Sequence, residues 1–189
     1  MKKIVLIAAL LMGSFAANAQ LYFTKTGTIK FDSHTTLEDI KAENRKVVSV
    51  LNSATGALEF SLLMKGFDFT NQLMEDHFNE SYAESDKYPK ASFKGTVTDI
   101  AKVDFTKDGS YKVNYTGKLT IKNVTKDVTG TATIVVKGGK VTATSALKVK
   151  PKDYNIVIPA TAGAKIAEEI TVDVIMDYTK KWEKFYLQF

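Results

Sequence analysis

No cysteine occurs among the 189 residues. That excludes disulfides and thiolate metal sites, so burial of a core has to hold the fold together. Histidine is nearly as scarce, with His34 and His77 as the two in the chain. Asp76 and His77 are neighbours, and on a helix neighbours point in different directions, so they do not form a converging ligand set. No Gly-x-Ser-x-Gly turn is present, and Ser61, Ser92 and Ser145 fall inside strand patterns. The paired glycines Gly138-Gly139 lack the following helix that a phosphate cradle or dinucleotide fingerprint needs. The reading is therefore a protein with no catalytic residue, no metal and no cofactor. The formal charge of +5 is mild and not gathered on one face, which argues against a nucleic-acid partner. Lys148, Lys150 and Lys152 alternate as an outward strand face does.

The chain has one long apolar run, at its start. Lys2 and Lys3 precede Ile4 to Met12, a stretch too short to span a bilayer, and Ala17-Asn18-Ala19 has the small-x-small form of a cleavage site. The expectation is a secretory signal peptide over 1–19 and a mature domain over 20–189 beginning at Gln20. The mature chain then has 189 − 19 = 170 residues and, without Lys2 and Lys3, a charge of +3. That length suits one domain with a substantial core. No later run is long enough for a membrane-crossing helix.

What is present in quantity is a period of two. From Tyr111 to Ile121 the odd positions read Tyr, Val, Tyr, Gly, Leu, Ile and the even ones Lys, Asn, Thr, Lys, Thr. Successive strand residues face opposite sides, so one face is apolar and the other wet. Residues 128–136, 141–149 and 170–178 repeat the pattern, and Gly138-Gly139 marks a hairpin. Further strands are expected near 21–31, 45–53, 57–65 and 90–100. Eight amphipathic strands on short turns suit either a sandwich or an up-and-down barrel.

One helix interrupts them, over 71–83. Thr70 or Asn71 caps its start, and Glu75 and Asp76 sit near its positive end. Leu73, Met74, His77, Phe78 and Tyr82 form a stripe at helical spacing, which either covers a barrel end or forms part of a pocket wall. Pro89 cannot continue the helix and biases Tyr88 toward extended backbone. Residues 151–167 read as a long loop before the last strand.

Two blocks carry a resemblance. Lys87-Tyr88-Pro89 followed by Phe93 comes directly after the helix. Later, Gly117, Leu119-Thr120-Ile121, Val124-Thr125 and Val128 form a strand, a turn and a strand. In this order they resemble the YceI-like lipid- and polyisoprenoid-binding family of the bacterial envelope. Phe31-x-x-His34 is similar to that family's opening motif. The resemblance implies a mainly β fold, an eight-stranded antiparallel lipocalin-like β-barrel with one α-helix between the third and fourth strands. It also implies a periplasmic location. The chain departs from the pattern in two places. Phe67 to Thr70 has no counterpart of a frequent Arg-Asp pair, and Lys150 and Asp153 stand where an arginine-containing motif is common.

Alternation alone leaves the interior either filled or hollow. Phe60, Leu62, Met64, Phe93, Val97, Tyr115, Leu119, Leu147, Val174 and Met176 are the inward candidates, joined by Met74 and Phe78 of the helix. Gly117 and Ala132 are expected to help keep the space open. The resemblance implies a cavity for a long-chain lipid or isoprenoid ligand, such as a polyisoprenoid, an isoprenoid quinone or a fatty-acid derivative. The rival readings are an envelope stress or structural protein with a filled barrel, and a lipid hydrolase or isomerase working through His34 or His77. The oligomeric state is not legible.

Overall fold

The computed structural model describes residues 20–180. The expected cleavage site lies outside them, at 17–19. Nine antiparallel strands form: β1 (Leu21–His34), β2 (Asp39–Asn52), β3 (Ala57–Leu63), β4 (Asp68–Phe69), β5 (Lys90–Val97), β6 (Gly109–Ile121), β7 (Val124–Lys137), β8 (Lys140–Val149) and β9 (Ile170–Lys180). Eight of them are long and run in the order β1-β9-β8-β7-β6-β5-β3-β2. Pairing of β1 with β2 closes the ring. The two-residue β4 pairs with β2 opposite Ala42 and Glu43. The result is the expected eight-stranded barrel, and closure leaves no long edge unpaired.

The turns follow from residues that tolerate positive φ. Gly138 (φ 56°) and Gly139 (φ 77°) make the β7–β8 hairpin, and Lys122 and Asn123 do the same for β6–β7 at φ 50° and 59°. The α-helix α1 (Gln72–His77) continues as a π-helical turn over Phe78–Tyr82. It therefore ends within a residue of the expected stretch. The Asn71 side chain accepts from the Leu73 N–H as its N-cap. At the other end Asn79 Nδ2 donates to the Glu75 carbonyl (3.0 Å), and buried Ser85 Oγ donates to Asn79 Oδ1 (2.7 Å). These bonds hold the π turn against the chain that leads into β5.

Strand β2 begins at Asp39, six residues before the expected start. Ile40, Ala42 and Asn44 face inward there, and then the register shifts so that Val47, Ser49 and Leu51 do. Asn44 is fully buried. Its Nδ2 donates to the Leu63 carbonyl (2.9 Å), and its Oδ1 accepts from Lys46 N–H (2.9 Å). An asparagine in a core slot and a bulge within one strand hide the alternation that would announce it. Opposite, β1 flips parity between Thr24 and Gly27. The chain from Pro151 to Glu169 is a 3-10 turn (Pro151–Tyr154) and then the long loop expected there.

Candidate functional site

The barrel has two ends of different character. At the end that carries the β2–β3 and β7–β8 hairpins, inward side chains meet across the axis. Val47, Leu51, Val113, Ile134 and Val141 are each 1% exposed or less. Tyr22 stacks on Phe105 (5.0 Å between centroids), and Ile100 and Val103 cover the end. At the other end a cavity of about 700 Å³ opens.

Aromatic residues set its walls. Phe31, Phe67, Phe69 and Phe78 pack together with centroids 5.2–5.7 Å apart, which fastens the helix to β1 and β4. Across from them Phe60 stacks on Phe93 at 5.0 Å, and Phe93 meets Tyr115 edge-on at 5.8 Å. A Cβ on Gly117 would lie 2.5 Å from the Phe93 ring, and one on Gly130 would lie 2.5 Å from the Tyr115 hydroxyl. These glycines let the rings lie flat on the wall. Gly117 thus does not leave open space as expected; Phe93 occupies it, while Ala132 does line the cavity.

Of the sequence-derived candidates, Phe60, Leu62, Met64, Phe93, Tyr115 and Leu119 line the cavity. So do Leu147, Val174 and Met176 from the far wall, and Met74 and Phe78 from the helix. Val97 does not. It is buried at the filled end, four residues along β5 from Phe93, or roughly 13 Å at strand rise. Parity alone cannot tell the two ends apart. Sequence reasoning missed Ile29 and Phe31 on β1, Ile40 on β2, and Ile156, Ile158 and Ile166 on the long loop, which all line the cavity. The loop residues were concealed because 155–166 has no period. Ile156 and Ile158 flank exposed Val157, and that local alternation was the available signal.

The mouth is edged by three segments: the β1–β2 hairpin, the helix and the long loop. Ser33, Glu38, Asn71, His77, Ser81 and Lys165 bring polar groups to it. Two contacts tie the loop to the hairpin. Lys165 pairs with Glu38 at 3.5 Å, and Ala167 N–H donates to Ser33 Oγ at 2.8 Å. His34 sits on the hairpin and pairs with Asp39, whose carboxyl that hydrogen bond holds below its usual range. Among the described residues no group of three or more metal-binding side chains converges.

The floor is formed by Met176 and Tyr178, which line the cavity and are nearly inaccessible. Ser49 Oγ donates its one proton to the Glu59 carbonyl (3.0 Å), so at 2.8 Å the Tyr178 hydroxyl is the donor to Ser49. Burial pushes the Tyr178 phenol up to about 12. Burial also raises Tyr22 and Tyr154. A phenol raised in this way holds its proton more firmly and is a poorer general acid. The arrangement is suited to holding an apolar molecule by area burial, with a few polar groups at one end.

The YceI-like domain family model matches residues 12–177. Three solved structures share the fold. A polyisoprenoid-binding domain from Saccharophagus degradans implicated in plant cell wall breakdown has a TM-score of 0.74 at 13% identity, covering 86% of this chain and 99% of that one. Burkholderia cenocepacia BcnA gives 0.69 at 19% identity over 81% and 96%. A Campylobacter jejuni YceI protein gives 0.52 at 18% identity over 97% and 100%. No curated protein sequence matches the chain.

Proposed function

The chain belongs to the YceI-like domain family, and from that premise we propose that it is an exported, non-enzymatic binding protein for a long-chain amphiphile, a polyisoprenoid or a related chain. The observation that carries this reading is the hollow end of the barrel, about 700 Å³ walled by aromatic and aliphatic side chains. Each buried methylene contributes ~0.8 kcal/mol, so a chain needs no chemistry to be retained. The name of the Saccharophagus relative, a polyisoprenoid-binding domain, supports the ligand class. Cleavage after Ala19 and a periplasmic location are part of the same reading, supported by the basic start, the short apolar run and Ala17-Asn18-Ala19.

The test is native mass spectrometry of the protein purified from the exported fraction, followed by solvent extraction. The expected result is a mature chain starting Gln20-Leu21-Tyr22-Phe23 with one amphiphile per molecule. An empty protein that takes up no added isoprenoid or fatty-chain ligand sinks the reading in favour of a surface-acting envelope protein. A lipid-modifying rate that vanishes with His34→Ala or His77→Ala replaces it with an enzyme.

A further inference from the structure

Among the described residues four large apolar side chains are more than half exposed, and all four stand at the hollow end of the barrel. Leu37 (66%) is at the tip of the β1–β2 hairpin, Leu73 (60%) on the first turn of α1 and Val157 (75%) on the long loop. Leu63 (56%) ends β3, just before Met64 enters the cavity wall. A single exposed leucine needs no explanation, but one such side chain on each of the three segments around an opening does. Local bonds fix how the tips are presented. Thr35 Oγ1 accepts from the Leu37 N–H (3.2 Å) and the Glu38 N–H (3.0 Å), and the Asn71 cap accepts from the Leu73 N–H (2.9 Å). Ile156 and Ile158 face the cavity, so Val157 between them faces away. The sequence around each tip is free of charge. Residues 35–37, 69–74 and 155–164 contain no Asp, Glu, Lys or Arg, in a chain that is 25% charged. Charges resume directly behind, with Glu38 and Asp39, Asp68 and Glu75, and Asp153 and Lys165.

Such a rim fits the interfacial zone of a lipid bilayer. The apolar tips can enter the boundary of the acyl chains while the charged residues behind them stay at head-group level. The rim is also continuous with the cavity. Leu73 is at once exposed and part of the cavity wall, and Ile156, Ile158 and Pro159 line the cavity from the stretch that bears Val157. A chain that crosses from bilayer to barrel between these tips stays among apolar groups throughout. A folded protein partner would need a face complementary to three separate tips set around an opening, whereas a fluid bilayer conforms to them. With no Lys or Arg on the uncharged crests, the attraction needs no anionic lipid. We propose that the rim of the mouth is a membrane-docking surface, in which Leu37, Leu73 and Val157 enter the bilayer interface and set the cavity opening against it for chain transfer. The transfer role rests on the lipid-binding reading above; the docking surface goes beyond it.

The test uses the purified exported protein and vesicles of phosphatidylcholine and phosphatidylethanolamine, with and without phosphatidylglycerol. The protein should sediment with both kinds of vesicle, and salt should not release it. Leu37→Ser/Val157→Ser changes two exposed side chains that do not line the cavity. It should lower vesicle partitioning about ten-fold and slow uptake of an isoprenoid alcohol from vesicles, while affinity for a short, water-dispersed isoprenoid alcohol stays the same. Because the chain has no cysteine, Thr36→Cys and Ala160→Cys on the crests, and Ala54→Cys on the opposite β2–β3 hairpin, can each carry an environment-sensitive dye. On vesicles the dye should shift to the blue at the first two positions and not at the third. Equal shifts at both ends, or unchanged partitioning of the double variant, overturn the inference. Binding confined to phosphatidylglycerol vesicles and released by salt overturns it in favour of charge adsorption. Self-association that the double variant abolishes, without vesicle binding, overturns it in favour of a second copy of this chain. A protein that ignores vesicles yet carries a bound amphiphile loses docking and keeps lipid binding. One that docks by its crests and takes up no amphiphile keeps docking and loses lipid binding.

Discussion

The same strands build a solid end from aliphatic side chains and a hollow end from larger, mostly aromatic ones. At the solid end Val47, Leu51, Val113, Ile134 and Val141 reach toward one another and leave them almost no solvent contact. At the hollow end the bulky groups lie along the wall. Phe93 covers Gly117, Tyr115 covers Gly130, and the four-phenylalanine cluster binds the helix to one side. Interior volume here is set by the direction of the side chains rather than by how much apolar material the strands carry. Glycines under rings are the device, because a Cβ at those positions would push the rings inward. The two ends should then respond differently to the same kind of change, stability at one and ligand at the other.

The largest effect on stability is expected at the solid end. Ile134→Ala removes a side chain that is 1% exposed and should cost about 2–5 kcal/mol in urea unfolding. Ligand bound per folded molecule should not change. A variant that keeps its stability but loses ligand would mean that the two ends are one continuous pocket.

Tyr178 lies on the boundary and gives a pH test. Its folded pKa of about 12 stands above the unfolded value of 10.0, so the neutral phenol favours the folded state. That contribution is whole below pH 10 and is lost as pH rises toward 12. With two units of difference it amounts to ~3 kcal/mol at most. Tyr178→Phe should flatten this part of the alkaline stability profile relative to the unmodified protein. At neutral pH it should cost only about 0.5–1.5 kcal/mol, since Ser49 keeps its bond to the Glu59 carbonyl. Equal alkaline slopes for the two proteins would show that the phenol is hydrated and the floor is open.

A paired substitution within the hollow end separates wall from void. Gly117→Leu must displace the Phe93 ring and should cost about 1–3 kcal/mol. Ala132→Phe extends from the cavity wall and should cost less than Gly117→Leu while blocking ligand uptake. If Ala132→Phe destabilises as much as Gly117→Leu, the void closes in solution.

Much of this was legible beforehand because the strands with clean alternation are those whose neighbours impose no bulge. Tyr111 to Ile121 and Val128 to Val136 fall inside β6 and β7, and the helix was announced by its Asn71 cap and the Pro89 stop. The first half of β2 was not legible, since Asn44 fills a core slot and the register shifts after it. Parity places Val97 on the same face as the cavity residues and says nothing of height along the axis. Gly117 misleads for a related reason. A missing side chain signals space in sequence, and only the cross-strand register shows that the Phe93 ring has taken it.

The smallest effect is expected at the mouth. His77 is exposed and lines the cavity from the helix, one residue before the phenylalanine that anchors it. No cap or buried bond depends on its imidazole, so His77→Ala should shift stability by no more than about 0.5 kcal/mol. A bound chain is held mainly by the walls below, and its affinity should fall by no more than the few-fold that one exposed hydrogen bond to a head group supplies. An enzyme using this imidazole as a general acid or base would instead lose roughly two to four orders of magnitude in rate. Phe78→Ala, one residue away, should weaken ligand binding by more than His77→Ala does, because Phe78 is part of the wall. If the order is reversed, contact at the rim governs affinity and the hollow end is a vestibule rather than the site.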